Sequence, residues 1–177
     1  SRGLGDVYKR QLIVLLGAVG DVARGMAIPA LLREFLPQCS ISWLVEPKSQ
    51  GLVALHPDVD HLICFERGSG PLAFFRALKE LRSRRYDVVL DLQRHLKSGI
   101  FSALSGAPRR IGFHRANAKE ANWLFATENI SEQPESLSKL EHYLCFVEQL
   151  GFVGVRQRPL ASLDFGLRRA ISQGRVP

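Results

Sequence analysis

Cysteine is scarce: Cys39, Cys64 and Cys145 are the whole complement. They are far apart, odd in number and free of any C-x-x-C pair, which excludes a disulfide framework and a cysteine zinc site. That usage fits a reducing compartment, with the three thiols as small buried apolar groups. No apolar stretch approaches the roughly 20 residues that a membrane-spanning helix needs. Glycine-rich nucleotide signatures are missing as well. "GAVGD" (17–21) is neither G-x-G-x-x-G nor G-x-x-x-x-G-K-[ST], and it puts an acid, Asp21, where a phosphate would be repelled. His95 and His114 have no companion at metal-ligand spacing, so no metal is assigned. Nucleic-acid motifs are absent too, so nucleic acid is not an expected partner.

What is present describes a globular chain. It has 177 residues, 46% hydrophobic and 23% charged, enough for one well-buried domain. The net charge of +7 suits an anionic partner. Lys9 and Arg10 followed by an apolar run imitate a signal peptide, but the run meets Asp21 and Arg24 with no small-residue cleavage site. A cytoplasmic location is therefore expected. The stretch "DVYKRQ" (6–11) reads as the translation of a transposase-end sequence common in sequencing adaptors, so residues 1–11 are expected to be non-native. Without Arg2, Lys9, Arg10 and Asp6, the net charge becomes +5.

Apolar runs of strand length alternate with helical patterns. Strands are expected at 12–16, 40–45, 61–65, 86–93 and 109–113, and helices at 22–36, 71–84, 94–104 and 136–150. Pro29 either kinks the first helix or marks its true start. The alternation predicts an α/β fold: a Rossmann-like, open, mainly parallel sheet in the order 3-2-1-4-5, with helices on both faces. The domain occupies 12–152. Residues 153–177 read as a linker followed by one basic helix, either folded back on the sheet or opening a second domain; the second is preferred.

In such a sheet, ligands bind beyond the strand ends where the topology reverses, here between strands one and four. That brings Asp21 towards Asp91, Gln93, Arg94 and Lys97. Gly17 and Gly20 would permit the tight strand-to-helix turn. Asp21 is either a helix N-cap or a general base. Arg94 and Lys97, three apart at a helix N-terminus, oppose the helix dipole, and an anionic ligand would offset that cost. Arg109, Arg110 and Arg115 bracket strand five, with Arg115 best placed for an anionic substrate.

Six stretches in register, "LGAVGDVARGMAIPALL", "ISWLVEP", "HPDVDHLI", "YDVVLDLQRHLKSG", "SGAPRRIGFHRANAKEANWLF" and "KLEHYLCFVEQLG", resemble the N-terminal half of glycosyltransferase family 9, the lipopolysaccharide heptosyltransferases. The resemblance implies an inverting, metal-independent enzyme of two Rossmann-like domains (GT-B). The N-terminal domain would take the lipopolysaccharide-core acceptor, and the missing C-terminal domain a nucleotide sugar such as ADP-heptose, with no further cofactor. It maps the family's general base onto Asp21 and acceptor contacts onto Gln93, Arg94, Lys97 and Arg115. Leu15 and Arg94 depart from the family pattern, in which a cation and a glycine are usual. A fragment without its donor domain would be folded but inactive. The positive charge and the Phe74/Phe75 helix would suit peripheral contact with the inner membrane, unless those aromatics pack on the sheet. The rival readings are a Rossmann oxidoreductase binding NAD(P), and a non-enzymatic module for anionic polymers.

Overall fold

The wholly apolar run after Gln11 forms a central strand because both of its faces are covered. The computed structural model describes residues 8–176. β1 (Arg10–Val14) is followed by α1 (Val19–Gly25), α2 (Ala27–Phe35), β2 (Ser40–Val45), α3 (Pro47–Ala54), β3 (His61–Cys64) and α4 (Gly70–Arg82). Then come β4 (Val88–Asp91), α5 (Leu96–Leu104), β5 (Arg109–Gly112), a 3-10 turn (Asn122–Phe125), β6 (Glu128–Asn129) and α6 (Lys139–Gln149). Two more 3-10 turns, Val155–Gln157 and Leu160–Ser162, lead to α7 (Leu167–Ser172). All strand pairs are parallel, in the order β3-β2-β1-β4-β5-β6. The expected order holds, and β6 extends it by one edge strand.

Strand alternation divides the core in two. Ile13, Ile41, Trp43, Val88, Leu90 and Ile111 face one layer, with Val22, Leu32, Val53 and Phe146 from the helices. Leu12, Val14, Leu44, Ile63 and Val89 face the other, with Ala77 and Leu81 of α4 and Phe101 of α5. The helices after β1 and after β4 therefore leave to opposite faces. That divergence opens a crevice at the carboxyl ends of these two neighbouring strands.

Several boundaries differ from expectation. β1 begins two residues early, with Arg10 opposite Ser40 and Gln11 opposite both Ile41 and Val88. Arg10 and Gln11, expected to be adaptor-derived, thus form its first rungs; residues 1–7 of that segment lie outside the described residues. The expected helix 22–36 is two helices. Pro29, in the first turn of α2, has no N–H to give the Gly25 carbonyl, and its ring crowds that oxygen, so α1 stops and α2 starts afresh. α3 was not expected; its sequence, PKSQGLVA, carries almost no apolar periodicity.

Residues 152–172 lie against α2 and the turn before β3. Phe152 stacks on Phe35 with ring centroids 4.5 Å apart, and Arg158 forks onto Glu34 at 2.8 and 2.9 Å. Arg169 pairs with Asp58, while Leu163 and Ala170 are buried. α4 splits its aromatic pair: Phe74 packs on Phe65 and Phe101, whereas Phe75 is 62% exposed. No helix among the described residues is long and apolar enough to cross a membrane.

Gly25 brings α1 close to the sheet, because a Cβ there would stand 2.7 Å from Leu15 Cδ2 and 3.3 Å from Trp43 Cη2. Both neighbours are fully buried, so the overpacking cost of about 1–3 kcal/mol should outweigh the helix-propensity gain of about 1 kcal/mol. Gly25→Ala is expected to lower the urea midpoint with an unchanged slope.

Candidate active site

α1 starts at Val19, after the four residues that follow β1, which makes Asp21 its third residue. Asp21 is therefore not the N-cap; that place belongs to Ala18, and no side chain caps it. The Asp21 carboxylate is held by cations instead. Arg24 Nη1 donates to Oδ1 at 3.1 Å and Lys139 Nζ donates to Oδ2 at 2.6 Å. Lys139 opens α6, whose start is fixed by a capping box. Ser138 Oγ accepts from the Glu141 N–H, and the Glu141 carboxylate accepts from the Ser138 N–H. Gly17 and Gly20 do not adopt positive φ. Gly17 is needed for space: a Cβ would lie 3.2 Å from Gln93 Oε1 and 3.6 Å from Asp21 Oδ2.

These groups meet in a small pocket of about 100 Å³ whose lining includes Asp21, Gln93, Arg94, Lys119, Lys139 and Tyr143, together with His95 and Leu15. Gln93 Oε1 is buried there without a partner among the described residues. Burial, and after it the Asp21 charge, push the Tyr143 phenol up, so it stays neutral. A second cavity of about 400 Å³ adjoins the first and shares Arg94, Lys119 and Lys139 with it; Asn117, Glu135 and His142 complete its polar lining. The Arg94 guanidinium lies 4.7 Å from the Phe113 ring centre, and its Nη2 donates to His142 Nδ1 at 3.3 Å. Burial and then the Arg94 charge push the His142 imidazole down, so the ring is neutral. Because a guanidinium only donates, Nδ1 is the acceptor, and the ring proton sits on Nε2, which is buried and has no partner among the described residues.

The expected convergence is met by Asp21, Gln93 and Arg94 but not by the rest. Lys97 and Arg115 are exposed and line neither cavity. Arg94 precedes α5, which begins at Leu96, so Arg94 and Lys97 do not share a helix face. The anion at that helix N-terminus is Glu120: its carboxylate accepts the Leu96 N–H at 3.1 Å and lies 3.2 Å from His95 Nδ1. Arg109 and Arg110 bind Glu128 and the Phe125 carbonyl respectively, and serve the sheet edge.

Asp91 lies under the cleft, only 3% exposed, and does not face it. Asn122 Nδ2 donates to Asp91 Oδ2 at 2.8 Å, the Gln93 N–H donates to Oδ1, and Ser98 Oγ lies 3.2 Å from Oδ2. Glu120 and Ala121, both left-handed with φ 52° and 58°, turn the chain so that Glu120 reaches α5 while Asn122 reaches Asp91. Sequence reasoning missed Lys119, Glu120, Asn122, Lys139 and His142. For Lys139 a signal existed, since S-K-L-E (138–141) is a capping box. Among the described residues no three His, Cys, Asp or Glu side chains are grouped to hold a metal ion.

Burial raises the Asp91 carboxyl to about 7, against the hydrogen bonds from Asn122 and Ser98. The folded state thus holds this proton more tightly than the unfolded chain does. The stability it contributes is full below about pH 4 and is lost as pH rises towards 7. In Asp91→Asn the amide oxygen can still accept from Asn122 and Ser98, the Gln93 N–H bond is lost, and nothing ionises, so the variant should gain on the wild type by about 2 kcal/mol between pH 5 and pH 8. Urea unfolding across that range measures it.

The family model for glycosyltransferase family 9 (heptosyltransferase) matches residues 74–170. The chain is 29% identical over 146 residues to the lipopolysaccharide core heptosyltransferase OpsX of Haemophilus influenzae, covering 82% of this chain and 42% of that protein. Its fold is similar to the E. coli heptosyltransferase WaaC solved with ADP-2-deoxy-2-fluoro heptose, with a TM-score of 0.75 at 21% identity, covering 95% of this chain and 55% of that one. A family 9 glycosyl transferase from Veillonella parvula gives 0.72 at 21% identity, covering 84% and 43%. The chain thus spans about half the length, or less, of the relatives it matches. With the family model covering more than half of its residues, the chain belongs to glycosyltransferase family 9.

Proposed function

We propose that this chain is the acceptor-binding N-terminal domain of an inverting, heptosyltransferase-like enzyme of the GT-B arrangement, working without a metal. Family membership carries the reading, and the placement of Asp21 at the topological crevice supports it. The donor, a nucleotide sugar of the ADP-heptose kind, would be bound by a second domain entered through residues 153–177. The acceptor would be the anionic lipopolysaccharide core, which suits the cations Arg94, Lys119 and Lys139 around the cleft.

The chemistry is a single displacement at the anomeric carbon. Asp21 takes the proton of the acceptor hydroxyl, the oxygen attacks from the face opposite the leaving group, and the nucleoside diphosphate departs with its electron pair. Gln93, with an unpaired carbonyl oxygen beside Asp21, accepts a hydrogen bond from a sugar hydroxyl and orients it. Under this reading the 177-residue chain alone transfers no sugar.

Peripheral membrane contact is part of the same proposal. Leu72 and Phe75 stand 70% and 62% exposed on α4, beside the exposed cations Arg76, Lys79 and Arg82. An amphipathic face of this kind suits the cytoplasmic surface of a bilayer rich in anionic lipid.

In the complete enzyme, Asp21→Asn should lower kcat by at least about 100-fold while leaving the acceptor KM nearly unchanged. An unchanged turnover would remove Asp21 from the base role. Phe75→Asp should weaken binding to vesicles containing anionic phospholipid by about fivefold or more, with turnover on a delipidated acceptor unaltered. Co-sedimentation measures the first effect and a soluble assay the second.

A further inference from the structure

Asp21 is covered. Arg24 and Lys139 engage one oxygen each, and of these two cations only Lys139 lines the pocket. The ammonium at 2.6 Å holds one lone pair of Oδ2 and stands in the pocket through which an acceptor hydroxyl would approach. Lys139 has a second place to go. Its side chain is half exposed, and it also lines the adjoining cavity, where Arg94 and Lys119 already bring positive charge against the single carboxylate of Glu135. His142, 3% exposed, lines the same cavity and keeps its Nε2 without a partner. A buried, unpaired donor beside three cations is the complement of an oxyanion.

We infer that Lys139 is a shared positioning residue: while the adjoining cavity is empty it covers Asp21, and an oxyanion bound there draws it away and uncovers the carboxylate. The oxyanion is a phosphate or a carboxylate of the acceptor. The charged and titratable groups around Asp21 are Arg24 on α1, Lys139 and Tyr143 on α6, Arg94 and His95 after β4, and Lys119 after β5. Among the described residues only Lys139 both touches Asp21 and lines the second cavity. The link to turnover rests on the reading of Asp21 as the base; the exchange of partners does not.

The test is a binding cycle on this chain, free of any assay of activity. Inorganic phosphate and acetate are each titrated into isotope-labelled protein while the ring nitrogens of His142 and the amides around Lys119 are followed by NMR. The wild type, Lys139→Met, Asp21→Asn and the double variant are compared, and their amide spectra report that each is folded. Phosphate or acetate should perturb His142 Nε2 in the wild type, and the stronger of the two names the anion. Lys139→Met should weaken that anion about tenfold, the loss of one charged hydrogen bond. Asp21→Asn releases the ammonium and should tighten binding by about threefold or more, whereas in the Lys139→Met background it should change nothing. A response to neither anion overturns the inference. So does an equal gain from Asp21→Asn in both backgrounds, which would be a plain charge effect. Kinetics of Asp21→Asn in the complete enzyme judge the base reading separately.

Discussion

One buried carboxylate holds the floor of the cleft together. Asp91 ends β4, and on it converge an amide from the β5–β6 connection, a hydroxyl from the first turn of α5 and the backbone of Gln93. A carboxyl group is costly to bury, and the cost is offset only while all of these partners stay in place. Its position in turn fixes Asn122, and with Asn122 the two left-handed residues that precede it. Those residues carry Glu120 to the N-terminus of α5 and keep Lys119 beside Arg94, whose carbonyl accepts the Lys119 N–H at 2.8 Å. The geometry of the cationic cleft is thus set from below, by a buried group that lines neither cavity.

The arginines divide the surplus of positive charge into two uses. Arg33 gathers carbonyls of Pro37 and Asp58 together with the Asp60 carboxylate, and Arg109 joins Glu128 to the Gln149 carbonyl. Arg169 clasps both Asp58 and Asp164. These guanidiniums tie loops and edges where a planar fork can satisfy several oxygens at once. The cations left facing the cleft are few, and lysine, with its mobile stem, supplies two of them.

The parts legible in the sequence were those governed by local pattern. β2 was bounded to the residue because a run of apolar residues sits between two prolines, and the sheet order followed from the alternation of strands and helices. α3 and the two-residue β6 escaped because neither has a period to read. At the site, Asp21 looked like a cap only because α1 was expected to begin three residues late. Arg94 and Lys97 seemed to need an external anion because Glu120 lies 24 residues beyond the helix start it serves. The pairing of Asp21 with Lys139 spans 118 residues, and no local pattern announces a contact of that range.

The order of the sheet also has a consequence for how the chain is made. β1 can pair with β2 as soon as that strand emerges, but its other edge waits for β4, and the bond between Arg10 and Asp87 closes across 77 residues. At about 5–20 residues per second, synthesis leaves that apolar edge open for roughly 4–15 s. An unpaired edge invites pairing with another chain. The newborn protein is thus most vulnerable before the strand that builds half of its cleft has left the ribosome.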